Sequence, residues 1–495
     1  MVPENGQELY HEIFGSILDR REMTPYLLRG CDGYATALCR ASRMMANRGF
    51  DSIGGELLPG EKERAHEYVI HATRYFASSL FPFVESQLRA LAALDSELRP
   101  AYEAALVSIS AIRGILADPE YAALVAEDPR HLFLLVSSGK YPDLFRGKPG
   151  KEVEATSGRR AAACATLKMC RLIKAVEEDS QDINDFARLG LFLEARGRSL
   201  ADLFDYDWEN PESIPDDECA QRAFVKLSAF FHKLKESIAY DPGRSCLVFD
   251  SGDGVRVDVA ELKARLKSPE SMFAKLGKDT SEEIQHIRDV LAVTFLLRER
   301  EDALALFHAL QKRGVILQEN VVSASITQTL FDNPHDMEEA TLRLMRALAR
   351  GALSDIEPDR EEAAANAADF FRALDINAVR NPHSADQHRK FQCKINFSLP
   401  VHRDASTRRI LVPGTAAYSY RDRIDVATER HTLPVELRIS DVRSWELSEK
   451  RGEAHHDAYK FRQLTALMNR LFDPLFRFPP EEFGRLRADQ ARLFV

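Results

Sequence analysis

Apolar residues recur at three- and four-residue steps through most of the first 240 positions. In EKERAHEYVIHATRYFASSLFPFVESQLRALAALD this spacing predicts helix, interrupted near Pro82. The run from Arg159, RRAAACATLKMCRLIKAVEE, places Ala162, Leu167, Met169, Leu172 and Ile173 on one face, the pattern of a helix packed on one side. Asp118-Pro119, Asp128-Pro129, Gly147-Lys148-Pro149-Gly150 and Pro211 punctuate these segments, and no fixed-period repeat is visible. Near residue 245 the pattern changes. CLVFD, SGDG and VRVDV form a hairpin signal, two β-rich runs around an Asp-Gly turn. SPESMFAKLGK and SEEIQHIRD read as helices, VLAVTFLL as a strand, and another helix follows from about Glu301 to Arg313. FQCKINFSLPV, RRILV and LPVELRI are further strand candidates, and SEKRGEAHHDAYKFRQLTALMNRLF reads as a closing helix. Between the strands, MEEATLRLMRALARGAL and EEAAANAADFFRAL predict a helical insertion at about 335–375. The expected architecture is α+β and multidomain: an all-helical half over 1–240, then a mixed-sheet α/β domain over 241–475. A tail over 476–495 would pack back through Phe476, Phe478 and Phe483.

A chain of 495 residues exceeds the usual size of one hydrophobic core, which agrees with more than one domain. With 45% apolar and 29% charged residues it has the composition of an ordinary soluble protein. A formal charge of −10 argues against a wholesale nucleic-acid coat or a membrane-surface binder, while leaving room for a local basic cleft. The seven cysteines are scattered without CxxC spacing, so neither a disulfide framework nor a zinc site is expected. The N-terminus shows no basic and apolar leader pattern and no window has the length to span a bilayer, so the expected compartment is the cytoplasm.

Chemistry concentrates in ARLKSPESMFAKLGK. Arg265 and Lys267 flank Leu266 and so share one side of an extended strand end. Ser268-Pro269 marks a helix start, with Ser271 and Lys275 one turn apart on one face. Helix N–H groups, a hydroxyl and three cations suit a polyphosphate, although a solvated basic strand–helix junction carries the same residues. Asp289 precedes the apolar strand, a common position for a magnesium-binding carboxylate and equally for a helix end. Glu436 interrupts the apolar LPVELRI and shares a face with Arg438, as in an ion pair within the sheet or as part of a site.

RLKSPESMFAKLGK, IRDVLAVTF, PVELRISD and EAHHDAYKFRQ, in this order, resemble the synthetase domain of RelA/SpoT-type (p)ppGpp synthetases over about 235 residues of the chain. The first motif, R-x-K-S-x-x-S-x-x-x-K, is the most specific. The resemblance implies a nucleotidyltransferase-like fold for the α/β domain and transfer of pyrophosphate from ATP to a 3′-hydroxyl of GDP or GTP, with Mg²⁺. It implies that Arg265 contacts adenine, that Lys267, Ser271 and Lys275 hold phosphates, and that Asp289 and Glu436 are catalytic metal ligands, Glu436 also acting as general base. His456, Tyr459 and Lys460 would lie near the acceptor. Thr294 stands where the family has an arginine, and Arg438 and Ser440 where it has glutamine and arginine. The nearest counterpart of the family's G-Y-x-S strand is HRKFQC, where Phe391 would replace the acceptor-stacking tyrosine and Cys393 the serine; a core aromatic at Phe391 is the competing expectation. His383, His388, Arg389 and Lys390 suit an acceptor phosphate or a solvated loop. Arg408, Arg409, Arg421, Arg423 and Arg430 would suit the backbone of a tRNA acceptor, as in toxin-like relatives. A non-catalytic nucleotide sensor is the alternative. No hydrolase pattern is present, and His335-Asp336 reads as a helix start.

Overall fold

The computed structural model describes residues 39, 41–42, 52–53, 56–95, 97–138, 156–178, 181–203, 214–278, 290–331, 334–351, 389–413, 415–423, 425–450, 455–478 and 483–494. A two-residue antiparallel pair, β1 (Ser52–Ile53) and β2 (Glu56–Leu57), comes first and was not visible in the helical texture of the N-terminal half. Helices α1 (Glu61–Tyr75) and α2 (Phe81–Leu94) follow, joined by five residues of π-helix, Phe76–Leu80. Pro82 stands in the first turn of α2; it has no N–H to continue the preceding ladder, which slips by one residue there. Next are α3 (Arg99–Leu116), α4 (Pro119–Glu127), α5 (His131–Ser138) and α6 (Ser157–Glu178). Asp118 caps α4 by accepting from the backbone N–H groups of Glu120 and Tyr121, with Pro119 in the first turn. Ala162, Met169 and Ile173 of the expected apolar face of α6 are fully buried, and Leu167 and Leu172 half so.

Helices α7 (Gln181–Glu194) and α8 (Glu218–Lys235) lead into the strands β3 (Ile238–Asp241), β4 (Cys246–Asp250) and β5 (Arg256–Leu266). The Asp-Gly hairpin forms as expected, with Asp250 opposite Arg256 and with Gly252 and Gly254 at φ 86° and 95°, which a side chain would oppose. Then come α9 (Pro269–Lys278), β6 (Leu291–Leu297), α10 (Ala303–Lys312), β7 (Val321–Gln328) and α11 (Pro334–Gly351). α11 is the described part of the expected insertion and begins at His335-Asp336 as expected, whereas EEAAANAADFFRAL and SEEIQHIRD lie outside the described residues. The chain continues through β8 (Phe391–Asp404), a short α12 (Ala416–Ser419), β9 (Val426–Asp441), α13 (Val442–Lys450), α14 (His456–Phe472) and α15 (Phe483–Leu493).

Two expectations need correction. RRILV is not a strand: Arg408 turns with φ 58°, and only Ile410 bridges to Arg403. The Asp404 carboxylate fixes this turn by accepting from the backbone N–H groups of Ser406 and Thr407. The closing helix is two helices, because the residues before His456 belong in part to α13, which Asp441 caps through the N–H and hydroxyl of Ser444.

By packing, the chain divides into two compact units rather than at residue 240. The first comprises Met1–Val176, Phe273–Ser281 and Lys460–Leu493; the second comprises Glu177–Met272, Glu282–Tyr459 and the last two residues. In the helical unit, Phe76, Phe81 and Phe472 form an aromatic core, and Tyr102 stacks on Phe478 while donating from its hydroxyl to Asp489. Phe476 and Phe478 of the tail are buried there as expected; the side chain of Phe483 lies outside the description.

The second unit is built on a seven-stranded mixed sheet of order β3-β4-β5-β6-β9-β8-β7, antiparallel except for β6 beside β9. Its apolar face carries Val293, Leu437 and Cys393 in one row and Phe295, Ile439 and Phe391 in the next. Helices α8 and α10 cover that face, Phe230 edge-on to Phe397 and Phe307 edge-on to Phe391. α8 is tied to α7 by a bidentate pair, Arg222 with Asp185, its two N–O distances both 2.8 Å. Among the described residues no helix is long and apolar enough to cross a membrane.

Candidate functional site

The opposite face of the same sheet is polar. Strand pairing sets Arg265, Ala292, Glu436 and Lys394 in one row across β5, β6, β9 and β8, and Lys263, Thr294, Arg438 and Gln392 in the row beside it. Paired residues project to the same side, and so do residues two apart on one strand. In β8 and β9 an apolar residue toward α8 and α10 alternates with a polar one on this face, whereas β6 contributes Ala292 and Leu296 beside Thr294. In β9 the apolar members are Val435, Leu437 and Ile439, and the polar ones Glu436, Arg438 and Ser440. Lys267 follows directly on β5, its backbone N–H donating to the carbonyl of Val290 at 2.9 Å. At the margin of the face, the Lys263 ammonium lies 5.4 Å from the ring centre of Trp445 on α13.

Glu436 is the centre of this face and is 2% exposed. Its Oε1 meets Nη2 of Arg438. Its Oε2 accepts from Nε2 of Gln392 at 3.1 Å and lies 3.7 Å from Nζ of Lys267. The amide of Gln392 in turn accepts from Nζ of Lys390 at 2.7 Å. A lysine ammonium only donates and a carboxylate only accepts, so these neighbours fix which way the Gln392 amide faces. Lys390 is held by its backbone. Its N–H donates to Oγ1 of Thr329 at 3.0 Å and its carbonyl accepts from the Thr329 N–H at 2.8 Å. The preceding carbonyl, of Arg389, accepts from the Ser440 hydroxyl at 2.7 Å. Burial pushes the Lys390 ammonium down to about 7; Arg438 adds to this, Glu436 opposes it, and Lys267 and Arg265 add further. Arg438 and Lys267 thus pair with one buried carboxylate, and Gln392 links Lys390 to it.

The structure brings Lys267, Glu436 and Arg438 into contact and sets Arg265 in the same row as Glu436, although β5 ends at Leu266 and β9 begins only at Val426. Ser271 stands in the first turn of α9, where its N–H and hydroxyl lie 3.0 Å from the carbonyl and 3.2 Å from the hydroxyl of Ser268. Lys275 and Lys460 belong to the helical unit, and the Lys460 ammonium lies 4.7 Å from the Phe83 ring centre. His456, exposed, and Tyr459, half-buried, occupy the first turn of α14. Asp289, His383 and His388 lie outside the described residues.

Phe391 corrects an expectation. It is 1% exposed on the apolar face against Phe307, so its ring offers no surface on which an acceptor base could stack. Cys393 shares that face, and burial pushes its thiol up to about 12. Counting two residues along β8 from Phe391 places both in the core, with Gln392 and Lys394 turned to the polar face. Gln392 was missed in the sequence, although the alternation of Lys390, Gln392, Lys394 and Asn396 with apolar neighbours was there to be read.

A magnesium ion takes hard oxygen donors, commonly one or two carboxylates. Glu436 is the carboxylate at the centre of the described face, and both of its oxygens are already engaged by Arg438, Lys267 and Gln392. Among the described residues no group of three or more His, Cys, Asp or Glu is placed to hold a metal. As arranged, the described donors around Glu436 suit an anion, and Asp289, the other expected metal ligand, lies outside the described residues. No family model, curated protein or solved structure matches the chain.

Proposed function

We propose that the polar face of the sheet binds the polyphosphate of ATP and that the chain transfers the β,γ-pyrophosphate to a 3′-hydroxyl of a guanine nucleotide, in the manner of the RelA/SpoT-like synthetases its motifs resemble. The observation that carries this reading is the convergence of Lys267 and Arg438 on the buried carboxylate of Glu436, with Arg265 in the same row of the face on β5. Phosphate oxygens entering the face would draw Lys267 and Arg438 toward themselves, since charge-assisted hydrogen bonds to phosphate are among the stronger ones a lysine or arginine makes. Glu436, relieved of those partners, would accept the proton of the attacking hydroxyl. The hydroxyl oxygen then bonds to the β-phosphorus, the bond from that phosphorus to the α,β-bridging oxygen breaks, and AMP departs. Arg438 lies opposite Thr294, so a cation stands one strand away from the position where the family has its arginine.

A second reading, a non-catalytic nucleotide sensor on the same face, is favoured by the burial of Phe391, which leaves the expected acceptor-stacking position inside the core. Incubation with γ-labelled ATP and Mg²⁺, with GDP, GTP, AMP or bulk tRNA in turn, separates the two. Label moving to an acceptor with the wild type and not with Glu436→Gln supports the enzyme. Tight ATP binding without transfer to any acceptor rejects transfer and leaves the sensor, and absence of ATP binding rejects both.

A further inference from the structure

The arrangement around Glu436 bears on how a polyphosphate would be held. In a metal-dependent site, carboxylates hold a cation and the cation holds the phosphates. Here the order of charges is different. The carboxylate already holds cations that belong to the protein: Arg438 on one oxygen, Lys267 and the amide of Gln392 on the other. Gln392 carries the arrangement on to Lys390, which is fixed in place by Thr329 and by the Ser440–Arg389 bond beside it. The side chains of Lys267, Arg438 and Glu436 are 14%, 14% and 2% exposed, so their mutual attraction is less screened by solvent than that of a surface pair.

We infer that this face binds a polyphosphate chain directly, through Lys267, Lys390, Arg438 and Arg265, without a bridging divalent cation, and that Glu436 is the counter-ion that stations those cations. The inference rests on the polyphosphate-binding reading above and adds to it the means of recognition, including Lys390 as a binding residue. The positive charge a metal would bring is supplied by side chains already facing one another. A divalent cation at Glu436 would have to displace Lys267 or Arg438 from the carboxylate and then sit beside them, against their repulsion.

The probe is inorganic tripolyphosphate, titrated calorimetrically into the full chain in EDTA and, separately, in Mg²⁺. The expected result is binding in EDTA within about threefold of that in Mg²⁺, a difference under roughly 1 kcal/mol. Binding only with Mg²⁺ overturns the inference and leaves the polyphosphate reading standing; no binding in either buffer overturns both. Lys390→Gln should weaken binding in EDTA roughly tenfold, the loss of one charge-assisted contact, and Lys390→Arg should restore most of it. Glu436→Gln should keep or tighten tripolyphosphate binding, since it releases cations; a metal ligand at that position would instead lose the ligand. Equal affinities of Lys390→Gln and wild type remove Lys390 from the site.

Discussion

Lys390 sits where burial disfavours its ammonium, so its proton leaves at about pH 7 rather than at the ordinary 10.5. Between those values the unfolded chain binds a proton that the folded chain does not, so this residue makes stability rise with pH across that window and is least favourable below about 7. Replacing it by methionine should flatten the rise, read as urea-unfolding free energy against pH from 7 to 10; an unchanged slope would contradict the surroundings assigned to Lys390. Glu436→Ala leaves Lys267 and Arg438 facing each other without their shared carboxylate, and should cost about 3 kcal/mol in the same measurement. At this scale the sequence was partly readable. Glu436 announced itself by breaking an apolar run, and Arg265 and Lys267 by flanking Leu266. Phe391 did not, because a strand's pattern says which residues share a face and not which face meets the core. The polar neighbours Gln392 and Lys390 settle that question only once β8 is paired with β9.

Elements with strong local signals formed where the pattern put them: the hairpin around Gly252 and Gly254, the strand Leu291–Leu297 and the helix Glu61–Tyr75. RRILV has the composition of a strand but loses its partner to the turn at Asp404, a cap that composition does not reveal. Packing between helices is the other thing hidden from the pattern. Gly277 on α9 reads as an ordinary small residue, yet a Cβ there would overlap Cδ1 of Leu467 and come within 3.2 Å of Cδ1 of Leu172. Gly277→Ala should therefore destabilise by about 1–3 kcal/mol, the range for overfilling a packed core. Gly190, inside α7, has nothing within 4 Å of its would-be Cβ, and Gly190→Ala should stabilise by about 0.5–1 kcal/mol through helix propensity alone. Chemical denaturation of the two variants tests the contrast, and equal effects would refute the close approach at Gly277.

Across the whole molecule, texture and packing divide the chain differently. Residues up to about 240 share a helical pattern, yet α7 and α8 belong with the sheet: Phe230 of α8 meets Phe397, and Arg222 fastens α8 to α7 through Asp185. Periodicity shows that a helix has an apolar face but not which core that face enters. One face of the sheet packs on α8 and α10, and on the other Glu436 meets Lys267 at the end of β5, Gln392 of β8 and Arg438 of β9. The most direct test of that convergence is ATP binding by the full chain carrying Arg265→Ala, Lys267→Ala and Lys390→Ala together, with folding checked by circular dichroism and thermal melting. Loss of three phosphate-facing cations should weaken ATP binding by about 100-fold or more while the fold persists; a folded triple variant that binds ATP as tightly as the wild type would contradict a polyphosphate site on this face.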